Sequence, residues 1–178
     1  QGLTGRLIDE ITAQRMLTDA ENDELTLKPE RVNASRLLLE LAESTSGANG
    51  THGRKLRIDL PELAPELITD ATLLRRVLAN MLKNAVEATP PGGVITVGCA
   101  DRGDAVEFTM NNPGEIPRAV QLQIFQRSFT TKGAGRGLGA YSMRLLTERY
   151  LRGRVDFTSS PQTGVTFRAA YPKDLRGM

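Results

Sequence analysis

The sequence predicts an α/β domain, and three observations carry that prediction. Residues 70–89 repeat apolar side chains at helical spacing; residues 94–110 and 154–170 each read as two short strands joined by a turn; helical segments lie between those two hairpins. A chain of 178 residues with 39% hydrophobic content suits one domain with a proper core.

From the amino end, residues 2–20 place Leu3, Leu7, Ile8, Ile11, Met16 and Leu17 at helical spacing. Leu25-Thr26-Leu27 and residues 56–60 read as short strands flanking a helix over about 33–43, and residues 44–53, rich in Ser, Gly and Asn, read as a surface loop. The segment 70–89 is a helix of roughly 18 residues, about 27 Å long. Asp70 is placed to cap it and Pro90-Pro91-Gly92-Gly93 stop it. Leu73, Leu74, Val77, Leu78, Met81, Leu82, Ala85 and Val86 share one broad apolar arc. Strands 94–100 and 105–110 join across Asp101-Arg102-Gly103-Asp104, and strands 154–159 and 165–170 join across residues 160–164. Between the hairpins, residues 119–125 and 138–151 are helical.

Composition excludes several classes. A net charge of +2 with scattered basic residues argues against nucleic-acid binding. There is no apolar run long enough to cross a membrane and no signal peptide. The single Cys99 rules out an internal disulfide framework and suits a reducing compartment, and no His/Cys cluster suggests zinc.

Chemistry concentrates in two places. Gly133, Gly135, Gly137 and Gly139 stand at alternate positions directly before a helical run, with Lys132 and Arg136 among them. Such a backbone can approach a ligand closely, and a helix N-terminus presents unpaired N–H groups to an anion. A plain surface loop is the competing interpretation. Gly135-x-Gly137-x-x-Ala140, with Asp156 downstream, formally matches a dinucleotide fingerprint, but no buried strand leads into it. A P-loop is excluded because Leu138 occupies the place of its Lys.

Asn80 and Asn84 are the second place, one turn apart at the margin of the apolar arc, with Arg76, Lys83 and Glu87 beyond them. Amides at such a rim must find partners, since an unpaired desolvated amide costs about 1–3 kcal/mol. A ligand, a hydrated metal or neighbouring backbone would each serve.

Taken together, Leu-Ala-Asn80-Met-Leu-Lys-Asn84-Ala-Val-Glu-Ala-Thr, the strand 106–110 running into Asn111-Asn112-Pro113-Gly114-Glu115-Ile116-Pro117, Phe125 and Phe129, the loop Gly135 to Gly139 and the final Gly164-Val165-Thr166-Phe167 resemble, in order, the motifs of the histidine-kinase branch of the gyrase, heat-shock chaperone, histidine kinase and mismatch-repair ATPase superfamily. The similarity runs from about Leu25 to Pro172. It implies a Bergerat-type fold: a two-layer α/β sandwich with a mixed, mostly antiparallel sheet of about five strands on three helices, and ATP between the layers.

The resemblance also implies roles. Asn84 would ligate Mg²⁺ through its amide oxygen, with Asn80 helping to hold the hydrated metal and phosphates. Phe125, Phe129, Thr130, Thr131, Lys132, Gly133, Gly135, Arg136, Gly137, Leu138 and Gly139 would form and anchor a flap over the triphosphate, and Asn80, Asn84 and Lys132 would act in catalysis. Core filling is the other interpretation of both phenylalanines. Asn112, ahead of Asn111, would read the base, with Gly114, Ile116 and Thr166 completing the pocket. Two departures weaken it: an Asn stands where the family has Asp, and the box is one residue short after Glu115. Val165 also replaces a Thr beside the adenine.

Hydrolysing relatives carry a Glu at the position of Asn80, which cannot act as a general base near neutral pH. The resemblance therefore implies an ATP-dependent protein-histidine kinase that presents Mg-ATP to a His on a separate dimerisation domain, within a homodimer that signals to a response regulator. Residues 1–24 would be the tail of the dimerisation hairpin and 25–178 the catalytic domain, although an amphipathic helix packed on the domain explains residues 2–20 equally well. His52 lies in a Gly-Thr-His-Gly loop and is not the acceptor. The chain is expected to be a cytoplasmic fragment without its own acceptor, making no membrane contact itself, from a protein that can be anchored in the inner membrane. A self-contained ATPase of the same superfamily and a nucleotide-binding module without transfer activity are the alternatives.

Overall fold

The computed structural model describes residues 3–46, 51, 53–127 and 138–177, with side chains from residue 11 onward. Helix α1 (Leu3–Glu21) leads into strand β1 (Pro29–Asn33), helix α2 (Ala34–Ser46), strands β2 (Lys55–Asp59) and β3 (Glu66–Asp70), and helix α3 (Ala71–Ala88). Strands β4 (Val94–Asp101) and β5 (Ala105–Asn112) come next, then the short helix α4 (Arg118–Gln121), helix α5 (Leu138–Leu145) with a π-helical turn Leu146–Tyr150, and strands β6 (Arg154–Ser160) and β7 (Gly164–Pro172).

The main sheet has the order β2-β4-β5-β7-β6. Only β2 and β4 run parallel, since α3 crosses over between them; the other pairs are antiparallel hairpins or their neighbours. Strict alternation decides which face is buried. Val106, Phe108, Met110 and Asn112 of β5 point the same way as Val165, Phe167, Ala169 and Tyr171 of β7, and all are buried. Over that face lie α2, α3 and α5, which contribute Leu38, Leu74, Leu78, Met81, Met143 and Leu146 to the core. The opposite face carries Thr96, Glu107, Thr109, Asn111, Thr166 and Arg168, all half-buried. The expected two-layer sandwich of five strands on three helices is thus what forms.

Two elements differ from the sequence-based expectation. Leu25 and Leu27 are not a strand; they pack partly buried against the core, and the strand forms later, at Pro29–Asn33, where only Val32 is buried. Its partner is β3, which was not expected, and the pair is a separate two-stranded ribbon. The helix expected over 119–125 is confined to Arg118–Gln121, after which the chain continues in turns with Leu122 exposed.

The start of α3 is fixed by Asp70. Its Oδ1 accepts from the Leu73 backbone N–H at 3.0 Å, as expected of the cap, and its Oδ2 accepts from the Lys28 N–H at 2.9 Å. The preceding residue is less well served: Thr69 Oγ1 is buried without a hydrogen-bond partner among the described residues. Replacing that hydroxyl by a methyl group removes the desolvation cost without opening a cavity. Thr69→Val is therefore expected to raise stability by about 1 kcal/mol, read as a higher urea midpoint at unchanged m-value.

Candidate functional site

The two asparagines lie where the helical wheel puts them, half-buried on one edge of α3, while the apolar arc beside them is buried. That edge faces the start of α5. Asn80 Nδ2 donates to the backbone carbonyl of Gly139 at 3.4 Å, at the long end of the hydrogen-bond range, between residues 59 apart in sequence. Gly139 and Leu138, both half-buried, open α5 directly after the glycine run. Phe129, Thr130, Thr131, Lys132, Gly133, Gly135, Arg136 and Gly137 lie outside the described residues.

The carboxyl end of β5 supplies the other wall. Asn112 is 2% exposed, opposite Val165 on β7, and its Nδ2 donates to the Pro113 carbonyl at 2.9 Å. Of the two candidates for this position, Asn112 faces the helices. Asn111 points to the other face, where its amide donates to Thr166 Oγ1 at 2.8 Å and to the Thr163 carbonyl at 2.9 Å. Thr166 is therefore not a pocket residue: alternation along β7 turns it away from the helix layer, and its hydroxyl is occupied by Asn111.

Beyond Asn112 the chain turns at Gly114, whose φ of +110° lies where side chains are disfavoured. Ile116 packs partly buried against the core, and its N–H donates to Ser159 Oγ at 2.8 Å, tying this segment to β6. Phe125 packs against Phe157 and Phe167 with ring centroids 5.9 and 6.3 Å away, and the Arg144 guanidinium lies 5.5 Å from its centroid. Phe125 thus packs partly buried against the core, the second of the two interpretations. Nothing in the residue spacing announced Arg144 or Phe157 as its partners.

A groove of about 310 Å³ runs along the opposite stripe of α5, lined by Phe125, Tyr141, Arg144, Leu145, Glu148 and Arg149. Phe125 is the one candidate site residue that it shares. Burial pushes the Tyr141 hydroxyl pKa up, and a hydrogen bond with Glu21 pushes it the same way.

A family model described as "Histidine kinase-, DNA gyrase B-, and HSP90-like ATPase" matches residues 69–175. The chain belongs to this family. Sporulation kinase A of Bacillus subtilis is 28% identical over 145 residues, covering 81% of this chain and 24% of the kinase. Among solved structures, the catalytic domain of histidine kinase ThkA superposes with a TM-score of 0.76 at 26% identity, covering 84% of this chain and 98% of that one. Full-length ShkA in complex with AMPPNP does so with a TM-score of 0.73 at 25% identity, covering 83% of this chain and 32% of that one. The chain spans about a quarter of the length of the sporulation kinase that it matches.

The family's last glycine motif has a direct physical reason here. Gly164 sits at φ +76°, and a Cβ on it would lie 2.3 Å from the backbone carbonyl oxygen of Asn112. Any side chain at 164 would push away the strand end that carries Asn112. Gly164→Ala should destabilise the fold by about 2 kcal/mol or more, measured by urea unfolding; an unchanged midpoint would mean that this strand end yields freely.

Proposed function

We propose that this chain is the ATP-binding catalytic domain of a sensor histidine kinase, holding Mg-ATP for transfer of the γ-phosphoryl group to a His on a dimerisation domain. The observation that carries it is the edge of α3: two half-buried carboxamides, one of them bonded to the first turn of the helix that succeeds the glycine run. Similarity to ShkA, solved with AMPPNP, supports nucleotide binding, and similarity to sporulation kinase A supports the kinase branch.

Residues have distinct tasks in this scheme. Asn112 offers an amide acceptor to the adenine amino group, weaker than a carboxylate by about 1 kcal/mol. In the run 129–137, outside the described residues, Lys132 and Arg136 supply positive charge for the triphosphate, while Phe125 packs against Phe157 of β6 and Phe167 of β7. The described residues hold no cluster of three or more His, Cys, Asp or Glu side chains for a metal. A lone amide oxygen from Asn84 fits Mg²⁺, which keeps most of its waters and takes phosphate oxygens; when bound, the ion neutralises phosphate charge. Asn80 supplies no base, so water is not activated and the γ-phosphate is kept for an external nucleophile. Catalysis is then positioning and charge stabilisation.

Residues 1–24 are the tail of the dimerisation hairpin in this scheme, and the full protein works as a homodimer with a response regulator as its downstream partner. Among the described residues no helix is long and apolar enough to cross a membrane. We place the domain in the cytoplasm.

Calorimetric titration tests the scheme. ATP should bind the parent chain in a magnesium-dependent manner, and Asn84→Ala should weaken Mg-ATP by about tenfold or more. Supplied in trans with a dimerisation domain carrying its His, the parent should yield an acid-labile phosphoprotein. Binding without transfer would favour a nucleotide-binding module, steady phosphate release would favour an ATPase, and equal binding by both proteins would remove Asn84 from the metal site.

A further inference from the structure

Helix α1 is fastened to the domain by its last two turns. Leu17 and Ala20 are buried there, and the Tyr150 hydroxyl donates to the Ala20 carbonyl at 2.7 Å. The helix then stops abruptly. The Glu24 N–H donates to the Asp19 carbonyl at 2.8 Å while Asp23 takes a φ of +61°. This is a Schellman-type stop with Asp in the left-handed position that glycine usually fills. The Asp23 carboxylate also forms an exposed ion pair with Arg149.

Glu21 makes the more consequential contact. Its carboxylate meets the Arg127 guanidinium through two parallel bonds, Nε to Oε1 at 2.8 Å and Nη2 to Oε2 at 3.1 Å. The Tyr141 hydroxyl lies beside the same carboxylate, and burial together with that carboxylate pushes its pKa up. The Glu21 side chain is 24% exposed and that of Arg127 62%, so the strength of the pair comes from its two-point geometry rather than from burial. Arg127 immediately precedes residues 128–137, and Tyr141 stands in the first turn of α5, the turn that Asn80 also grips. Helix α1 and its stop therefore meet Arg127 through Glu21 and the turn continuing α5 through Ala20 and Asp23, which contact Tyr150 and Arg149.

We propose that Glu21 is a clasp through which helix α1 sets the position of Arg127 and α5, and thereby the nucleotide affinity of the site at the α3 edge. The affinity part rests on the nucleotide-binding role proposed above. If α5 is ordered in advance by α1, nucleotide binding no longer has to order it. Docking of α1 and binding of ATP then favour each other by the same factor. The contact is charged and partly exposed, so it can be released without unfolding the domain.

The test compares the parent chain with Glu21→Ala, Glu21→Gln and Asp23→Gly, by hydrogen exchange and by Mg-ATP titration. Exchange of amides 138–150 should accelerate by about fivefold in Glu21→Ala, while β5 and β7 amides stay as protected as in the parent; Mg-ATP affinity should fall by a similar factor. Glu21→Gln, which keeps an acceptor for Tyr141 but loses the charge pair, should lie between. Asp23→Gly relieves the backbone strain yet removes the Arg149 pair, so it should keep α1 helical while loosening its end. Raising salt should bring the parent toward the variants. Unchanged α5 exchange in Glu21→Ala overturns the clasp, and faster exchange with unchanged affinity overturns the coupling. A parent chain that binds no ATP overturns the proposed function instead, and the exchange comparison alone then decides the clasp.

Discussion

The phase of α3 depends on the two bonds that Asp70 makes. With one oxygen on Leu73 N–H and the other on Lys28 N–H, this buried carboxylate fixes where the helix begins and ties that point to the segment entering β1. Everything along α3 is then set by its 100° step. Start the helix one residue later and the arc from Leu73 to Val86 rotates out of the core, carrying Asn80 and Asn84 to another face. The edge that carries the asparagines is thus a by-product of burying the arc: they are half-buried because their neighbours are fully buried.

The same logic governs which elements the residues made legible. α3, both hairpins and α5 were readable because each buries one face and so writes its own period into the sequence. β1 left no such trace, and β3 buries only Leu67 and Thr69 on its alternating face, too short a pattern to stand out. Pro-Glu-Arg-Val-Asn buries only Val32, and the two strands form a ribbon whose ladder is satisfied by backbone alone. Leu25 and Leu27 misled for the converse reason: they are apolar and alternate, but their burial comes from packing rather than from pairing. The placement of Asn80 at the rim of α3 and of Asn112 at the end of β5 was legible because each follows from the period of its own element. The site was opaque where a long-range partner carries the requirement, as with Arg144 and Phe157 around Phe125, or Glu21 beside Arg127. Thr166 shows the limit of motif transfer: a motif fixes a stretch of strand, while alternation decides which of its members face the ligand.

The Asn112 end of the candidate site is built on backbone crowding. Gly164 leaves room for the Asn112 carbonyl, and the Pro113 carbonyl in turn takes the Asn112 amide N–H. The amide is thereby oriented by the next residue in the chain. A flip would set the Asn112 oxygen against the Pro113 oxygen, two acceptors with no proton between them. A neutral side chain can consequently keep the acceptor direction of a carboxylate, at reduced strength.

Asn80 admits a similar argument, and it connects the chemistry of the site to its architecture. The bond to the Gly139 carbonyl needs a donor at position 80. An ionised Glu has none, because both of its oxygens are acceptors only. A chain that carried a general base there would lose this tie between α3 and α5 and would set a carboxylate against a carbonyl in its place. In this arrangement a base able to activate water and a donor able to hold α5 exclude one another at a single position. The absence of a hydrolytic base and the tie to the helix after the glycine run are then one choice of side chain, and that choice suits the proposed role of keeping a γ-phosphate intact until an acceptor arrives.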